Sequence, residues 1–179
     1  MKKKITLIFI FLLMIPIFAN PLKIKTISAM VTQKLYINKT VKLKKYILIV
    51  KKPQNIVVEK VLFPKLNKGE MYTFNYNTNI KTIFYPLLKQ KVESKITTKN
   101  YVKLFLEILT NSKQIKGKKY LIKYNKKNIS SVKVIKENII LKFFDYNIID
   151  GYKIPLLIKV YEGDNKIIQN IKLKNIKIN

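Results

Sequence analysis

The chain has 179 residues, no cysteine, no histidine and a formal net charge of +28 at pH 7. The missing residue types exclude Ser–His and Cys–His nucleophiles, disulfides and the zinc sites that depend on these ligands. All 37 basic residues are lysine, and isoleucine and asparagine are also abundant, which indicates a genome base bias. The absence of arginine argues against phosphate recognition, which favours the planar fork of the arginine side chain.

The amino terminus has the pattern of a secretory signal peptide. Lys2–Lys4 is followed by the apolar run Ile5–Phe18 and by the small residue Ala19. The run is shorter than the ~20 residues that span a bilayer, which favours cleavage over an uncleaved anchor. We therefore predict a signal peptide at 1–19, a single domain at 20–179 and a periplasmic location.

Alternating apolar and polar residues, separated by turn signals, predict strands in the first half of the chain. These strands are Ile27–Asn38, Lys42–Lys51, Asn55–Phe63, Met71–Tyr76 and Ile80–Tyr85.

The second half begins with a different pattern, because the apolar residues of Tyr101–Leu109 have helical spacing. Strand patterns then resume at Lys119–Tyr124, Val132–Ile135, Ile139–Phe144, Lys153–Tyr161 and Lys166–Ile178. The predicted fold is mainly β, with a curved antiparallel sheet of about ten strands that forms an incomplete barrel and one helix across its concave side.

The carboxylates give no sign of catalysis. There are nine, most of them at turns or among lysines, and their spacing does not indicate a glycosidase-like pair. Glu162 and Asp164 are oxygen ligands that suit calcium, but two carboxylates in a hairpin turn are usually solvated. We therefore expect a protein that is not an enzyme and has no cofactor and no metal site.

Four segments resemble, in order and spacing, the outer-membrane lipoprotein carrier family (LolA-like). They are Val31–Leu35, Val50–Pro53, Phe84–Gln90 and the closing hairpin from Asp150 to Asn179. The resemblance implies an incomplete antiparallel barrel with helices over its open apolar side. It also implies that the protein carries acyl chains of lipoproteins through the periplasm, from an inner-membrane transporter to an outer-membrane receptor.

The resemblance also assigns residues. A basic residue before the proline that ends the second strand latches the lid helices in the family, and the matching residue is Lys52. Large apolar groups on the concave face match Ile56 and Val58. The sequence departs from the family in having lysine at the latch, isoleucine and valine in place of concave aromatic residues, and no amphipathic helix before its first strand.

The candidate lipid-binding residues are apolar or aromatic positions of the predicted strands and helix, each of which ordinary core packing also explains. They are Tyr46, Leu48, Val50, Ile56, Val58, Phe74, Tyr76, Ile83, Tyr85, Phe105 and Leu109.

The favoured interpretation is a monomeric periplasmic carrier or chaperone that shields acyl chains of lipoproteins or other lipids, with no nucleic-acid partner. One alternative is a cationic envelope module that binds polyanions or anionic membrane surfaces. Another is a structural partner whose sheet edge pairs with a second envelope protein.

Overall fold

The computed structural model describes residues 24–97, 101, 103–104, 119–126 and 128–179. The predicted signal peptide at 1–19 lies outside these ranges. The strands are β1 (Thr26–Ile37), β2 (Thr40–Lys51), β3 (Ile56–Phe63), β4 (Met71–Asn75), β5 (Ile80–Tyr85), β6 (Gln90–Lys95), β7 (Tyr120–Asn125), β8 (Asn128–Val134), β9 (Ile139–Ile149), β10 (Tyr152–Glu162) and β11 (Lys166–Ile178). Two short 3₁₀ helices span Lys65–Asn67 and Ile135–Glu137.

The eleven strands in the described ranges form one antiparallel sheet in the order β6-β5-β4-β3-β2-β1-β11-β10-β9-β8-β7. The first and last strands pair at its centre, through partners such as Val31 and Leu173. The sheet curves but does not close, because β6 and β7 remain its two edges. The antiparallel incomplete barrel predicted from the sequence is therefore confirmed.

Asparagine makes several of the tight connections in this glycine-poor chain. Asn38, Asn55 and Asn79 lie in the turns after β1, β2 and β4, with φ of 54°, 53° and 57°. Asparagine tolerates this left-handed backbone better than most residues, because its short polar side chain can bond locally. With only four glycines available, asparagine supplies the reversals that consecutive hairpins need.

The register divides the strand residues between two faces, because directly paired residues of neighbouring strands lie on the same side of a sheet. The face that holds most of the buried apolar side chains is here called the inner face, and the opposite one the outer face. Inner-face residues that are at most 2% exposed include Ile27, Val31, Tyr46, Leu48, Val57, Val61, Val132, Leu141, Ile158, Val160 and Ile171.

The core spans both halves of the sheet. Val57 on β3 and Val132 on β8 are both 0% exposed and belong to one apolar cluster. A flat sheet would separate these strands by about 29 Å, given ~4.8 Å between neighbours. Curvature brings the two halves towards each other around the inner face.

The strand β6 was not predicted from the sequence. Its six residues are all exposed, so Gln90–Lys95 shows no alternation of buried and exposed positions. An edge strand that needs only one neighbour can form by backbone pairing alone. Of the predicted helix, Tyr101, Lys103 and Leu104 are helical, and the remainder lies outside the described residues.

Within the described ranges, no helix has the length and apolarity needed to cross a membrane.

The buried inner face should dominate stability. Leu141→Ala removes a side chain that is 0% exposed, and should lower the free energy of unfolding by about 2–4 kcal/mol through lost burial and a residual cavity. Leu87→Ala is the matched control, since Leu87 is 91% exposed and its truncation should cost less than about 0.5 kcal/mol. Urea denaturation followed by tyrosine fluorescence measures both, and equal losses would contradict this account of the core.

Candidate functional site

The first half of the inner face is an apolar wall built by β2, β3 and β4. Tyr46, Leu48 and Val50 are 2%, 1% and 6% exposed and come from alternate positions of β2. Val50 pairs with Val57, which pairs in turn with Phe74 on β4. The wall therefore brings together four residues predicted from the sequence: Tyr46, Leu48, Val50 and Phe74.

Three further predicted residues lie at the margin of this wall. Tyr76 stacks on Phe74 with ring centres 6.4 Å apart. Ile83 lies opposite Tyr72 and is half-buried, while Tyr85 pairs with Gln90 on the edge strand and is also half-buried. These side chains retain exposed surface that a ligand can contact.

The grouping of Ile56 and Val58 with the inner-face residues was wrong. Val58 pairs with Ile49 and Ile56 with Lys51, so both lie on the outer face. The strand itself was predicted correctly, but its inward-facing residues lie one position away from those predicted. Because side chains alternate between the two faces of a strand, a shift of one residue moves each of them to the opposite face. Val57, Glu59 and Val61 occupy the inner positions instead.

Glu59 is a buried carboxylate on this largely apolar surface, and sequence reasoning missed it. It is 6% exposed and lies directly opposite Leu48. The Nζ of Lys44 approaches its Oε2 at 2.6 Å and also lies 4.6 Å from the Tyr46 ring centre and 4.9 Å from that of Tyr72. Lys44 could have been placed here from its even spacing to Tyr46, whereas placing Glu59 required knowing that Val57, not Val58, faces inward.

A second polar group, Glu70, lies next to this ion pair. Its Oε2 accepts a 2.6 Å hydrogen bond from the Tyr72 hydroxyl, and its Oε1 accepts one of 2.8 Å from Asn67 Nδ2. Burial, with the hydrogen bond to Glu70, raises the pKa of Tyr72, and burial, with the charge of Glu59, raises the pKa of Tyr46. Both shifts favour the neutral, protonated form of the hydroxyls.

A cavity of about 500 Å³ opens beside this polar cluster. Its size lies within the range of ~300–1,000 Å³ that is typical of small-molecule sites. Its lining mixes aliphatic surface with lysine, amide and phenol groups, from Leu35, Lys42, Leu43, Lys44, Val61, Pro64, Asn67 and Tyr72. The cavity can therefore receive an apolar group at its wall and a polar group at its rim.

The described helical residues lie on the inner face. Tyr101 and Leu104 pack against the apolar cluster, and the Lys103 Nζ lies 4.0 Å from the ring centre of Tyr76, just beyond β4. Burial and the charge of Glu162, at the end of β10, raise the pKa of Tyr101. Tyr101, Lys103 and Leu104 thus lie over the inner face. Phe105 and Leu109 lie outside the described residues, so their predicted role is untested.

Lys52 lies in the turn between β2 and β3 and is half-buried. Its backbone N–H donates a 2.9 Å hydrogen bond to the carbonyl of Lys25. This contact fixes the turn against the start of β1, and the latch function of the side chain stays a prediction.

Among the described residues, no group of three or more acidic side chains is placed to hold a metal ion. Glu162 forms an ion pair of 2.6 Å with Lys166 across the β10–β11 turn.

The Lys44–Glu59 pair should contribute to stability, because removing the carboxylate leaves the partly buried Lys44 without its counter-charge. Glu59→Gln should lower the free energy of unfolding by about 1–3 kcal/mol. Glu93→Gln, at an exposed outer position of β6, should change it by less than about 0.5 kcal/mol. Urea denaturation of both variants tests the difference, and a Glu59→Gln variant as stable as the wild type would contradict it.

Solved structures with the same architecture include three from bacteria. A LolA superfamily protein from Nitrosomonas europaea matches with a TM-score of 0.54 and 8% identity, over 88% of this chain and 87% of that chain. A DUF1329 family protein from Desulfovibrio piger matches with a TM-score of 0.59 and 9% identity, over 89% and 88%. A domain named for outer membrane lipoprotein sorting, from Vibrio parahaemolyticus, matches with a TM-score of 0.55 and 10% identity, over 86% and 85%.

No family model matches the sequence, and no curated protein matches it significantly. At identities of 8–10% the structural likeness shows the fold. The resemblance seen in the sequence is confirmed at this level: the chain has the fold of LolA superfamily and lipoprotein-sorting proteins.

Proposed function

We propose that this protein is a non-catalytic carrier that shelters acyl chains of lipoproteins or other lipids on its inner face while they cross the periplasm to the outer membrane. The observation that carries the proposal is the apolar inner face with the 500 Å³ cavity at its margin. The signal-peptide pattern at 1–19 and the LolA-like fold support it from independent directions.

The energetics of an acyl chain require such a surface. Each methylene moved from water to an apolar site contributes ~0.8 kcal/mol, so a chain of ~15 methylenes represents on the order of 12 kcal/mol. A curved apolar wall can surround the chain on several sides, whereas an isolated surface residue contacts it on one. The half-buried Tyr76, Ile83 and Tyr85 offer apolar surface that is still accessible.

The polar rim gives the site an amphipathic character. Lys42 and Lys44 present ammonium groups, and Asn67 an amide, to the same cavity that Leu35 and Val61 line with aliphatic surface. A lipid or lipoprotein has the same division, with apolar chains joined to a polar head. We infer that the head lies at the lysine rim and the chains lie along the wall.

The segment Tyr101–Leu109 is the proposed cover of the bound chain, with Phe105 and Leu109 among its contacts and Lys52 as its latch. A transporter of the inner membrane and a receptor of the outer membrane are the proposed donor and acceptor. The carrier acts as a monomer in this scheme and needs no cofactor.

The inner face should bind a fluorescent fatty acid that unlabelled fatty acid displaces. Ile83→Asp, on the inner face of β5, should weaken this binding at least roughly tenfold, because it sets a carboxylate beside the apolar chain. Ile80→Asp is the control, since Ile80 is on the same strand but pairs with Asn75 on the outer face, and it should bind as the wild type does. Circular dichroism establishes that both variants are folded, and wild-type protein without displaceable binding would refute the proposal.

The mature protein should also retain its ligand on isolation from its native periplasm. Mass spectrometry of the gently purified protein is expected to find an acylated species in wild type and Ile80→Asp but not in Ile83→Asp. A species without an acyl chain, or equal recovery from both variants, would point to a different ligand or a different site.

A further inference from the structure

The outer face of β1 and β7–β11 carries a concentration of lysines, here called the lysine face. Its members at paired outer positions include Lys34, Lys123, Lys133, Lys142, Lys159 and Lys172. No carboxylate occupies a paired outer position of these strands. Of the two acids within them, Glu162 pairs with inner-face Ile139, and Asp145 has no register partner and a left-handed φ of 55°.

The register aligns several of these lysines in one row across the sheet. Lys159 and Lys142 are direct cross-strand partners on β10 and β9. The row extends through Asn170 to Lys34 on β1 and through Ser131 to Lys123 on β7. Neighbouring strands are ~4.8 Å apart, and like charges placed directly opposite each other destabilise a sheet. A row of this kind gains from an external anionic partner.

Exposed apolar groups are interleaved with the lysines. Phe144 and Ile167 are both 37% exposed and Leu121 is 56% exposed. The Lys142 Nζ lies 4.5 Å from the ring centre of Tyr161, and the Lys159 Nζ lies 5.2 Å from that of Phe144. Ammonium groups on aliphatic stems beside aromatic rings suit the boundary between lipid headgroups and acyl chains, where each part of the side chain meets its preferred medium.

We propose that the lysine face docks the protein on the anionic surface of a lipid bilayer. The mixture of lysine and exposed apolar groups favours a bilayer over a nucleic acid, for which arginine would provide bidentate phosphate contacts. Each lysine near an anionic membrane surface strengthens binding about fivefold. The docking face is opposite the inner face, so this proposal does not depend on the acyl-chain site.

Sedimentation with vesicles tests the docking. The wild type should bind vesicles of 70% phosphatidylcholine and 30% phosphatidylglycerol, and not pure phosphatidylcholine. The row variant Lys123→Gln, Lys142→Gln, Lys159→Gln should bind the anionic vesicles at least roughly thirtyfold more weakly. The control variant Lys60→Gln, Lys91→Gln, Lys95→Gln removes the same charge from outer positions of β3 and β6 and should lose less than about threefold, since those positions lie outside the lysine face.

Equal weakening in the two triple variants would overturn the proposal, because total charge rather than the lysine face would then govern binding. A row variant that loses affinity for duplex DNA but keeps its affinity for vesicles would also overturn it. Displaceable fatty-acid binding should be unchanged in the row variant, so failure of the docking proposal and failure of the carrier proposal give separate results. If the triple row variant does not fold, Lys123→Gln alone, at an exposed position of edge strand β7, should still bind anionic vesicles several-fold more weakly, with wild-type affinity as the contradicting result.

Discussion

The rest of this structure depends on one constraint: a single sheet layer must place its buried side chains on one face and its exposed side chains on the other. The eleven strands of the described residues belong to one sheet. Whether a residue stands at an odd or an even position of its strand therefore decides whether its side chain faces the curved interior or the outside. A shift of one residue exchanges these positions along a whole strand. The antiparallel register, anchored where β1 pairs with β11, consequently fixes both the core and the surfaces available for binding.

The inner face departs from a simple hydrophobic core in a way that bears on function. Removing Glu59 from water has a desolvation cost that Lys44 offsets through a 2.6 Å contact. Glu70 is held by Asn67 and Tyr72. These polar side chains lie together at the margin beside the cavity. The apolar Val57, Leu141 and Ile158 are instead all 0% exposed. An amphipathic ligand matches this arrangement better than a wholly apolar one.

The lysines are not equivalent despite the compositional bias that produces them. Lys44 is partly buried against a carboxylate and two tyrosine rings. Lys142 and Lys159 instead face each other across strands, without a carboxylate at the neighbouring paired positions of the outer face. A base bias accounts for the abundance of lysine, and tertiary placement decides which lysines are neutralised within the chain and which remain available to an anionic surface.

The sequence alone determined ten of the eleven described strands, the antiparallel class and the resemblance to lipoprotein carriers, because period-two alternation and turn residues are local signals. It also located Tyr46, Leu48, Val50 and Phe74 on the buried side. Only the tertiary structure decided which face Ile56 and Val58 occupy, that Lys44 and Glu59 form an ion pair, and that Gln90–Lys95 forms the strand β6. These features depend on partners distant in the chain: register is set by cross-strand pairing, and an exposed edge strand is held by its neighbour's backbone rather than by its own side chains.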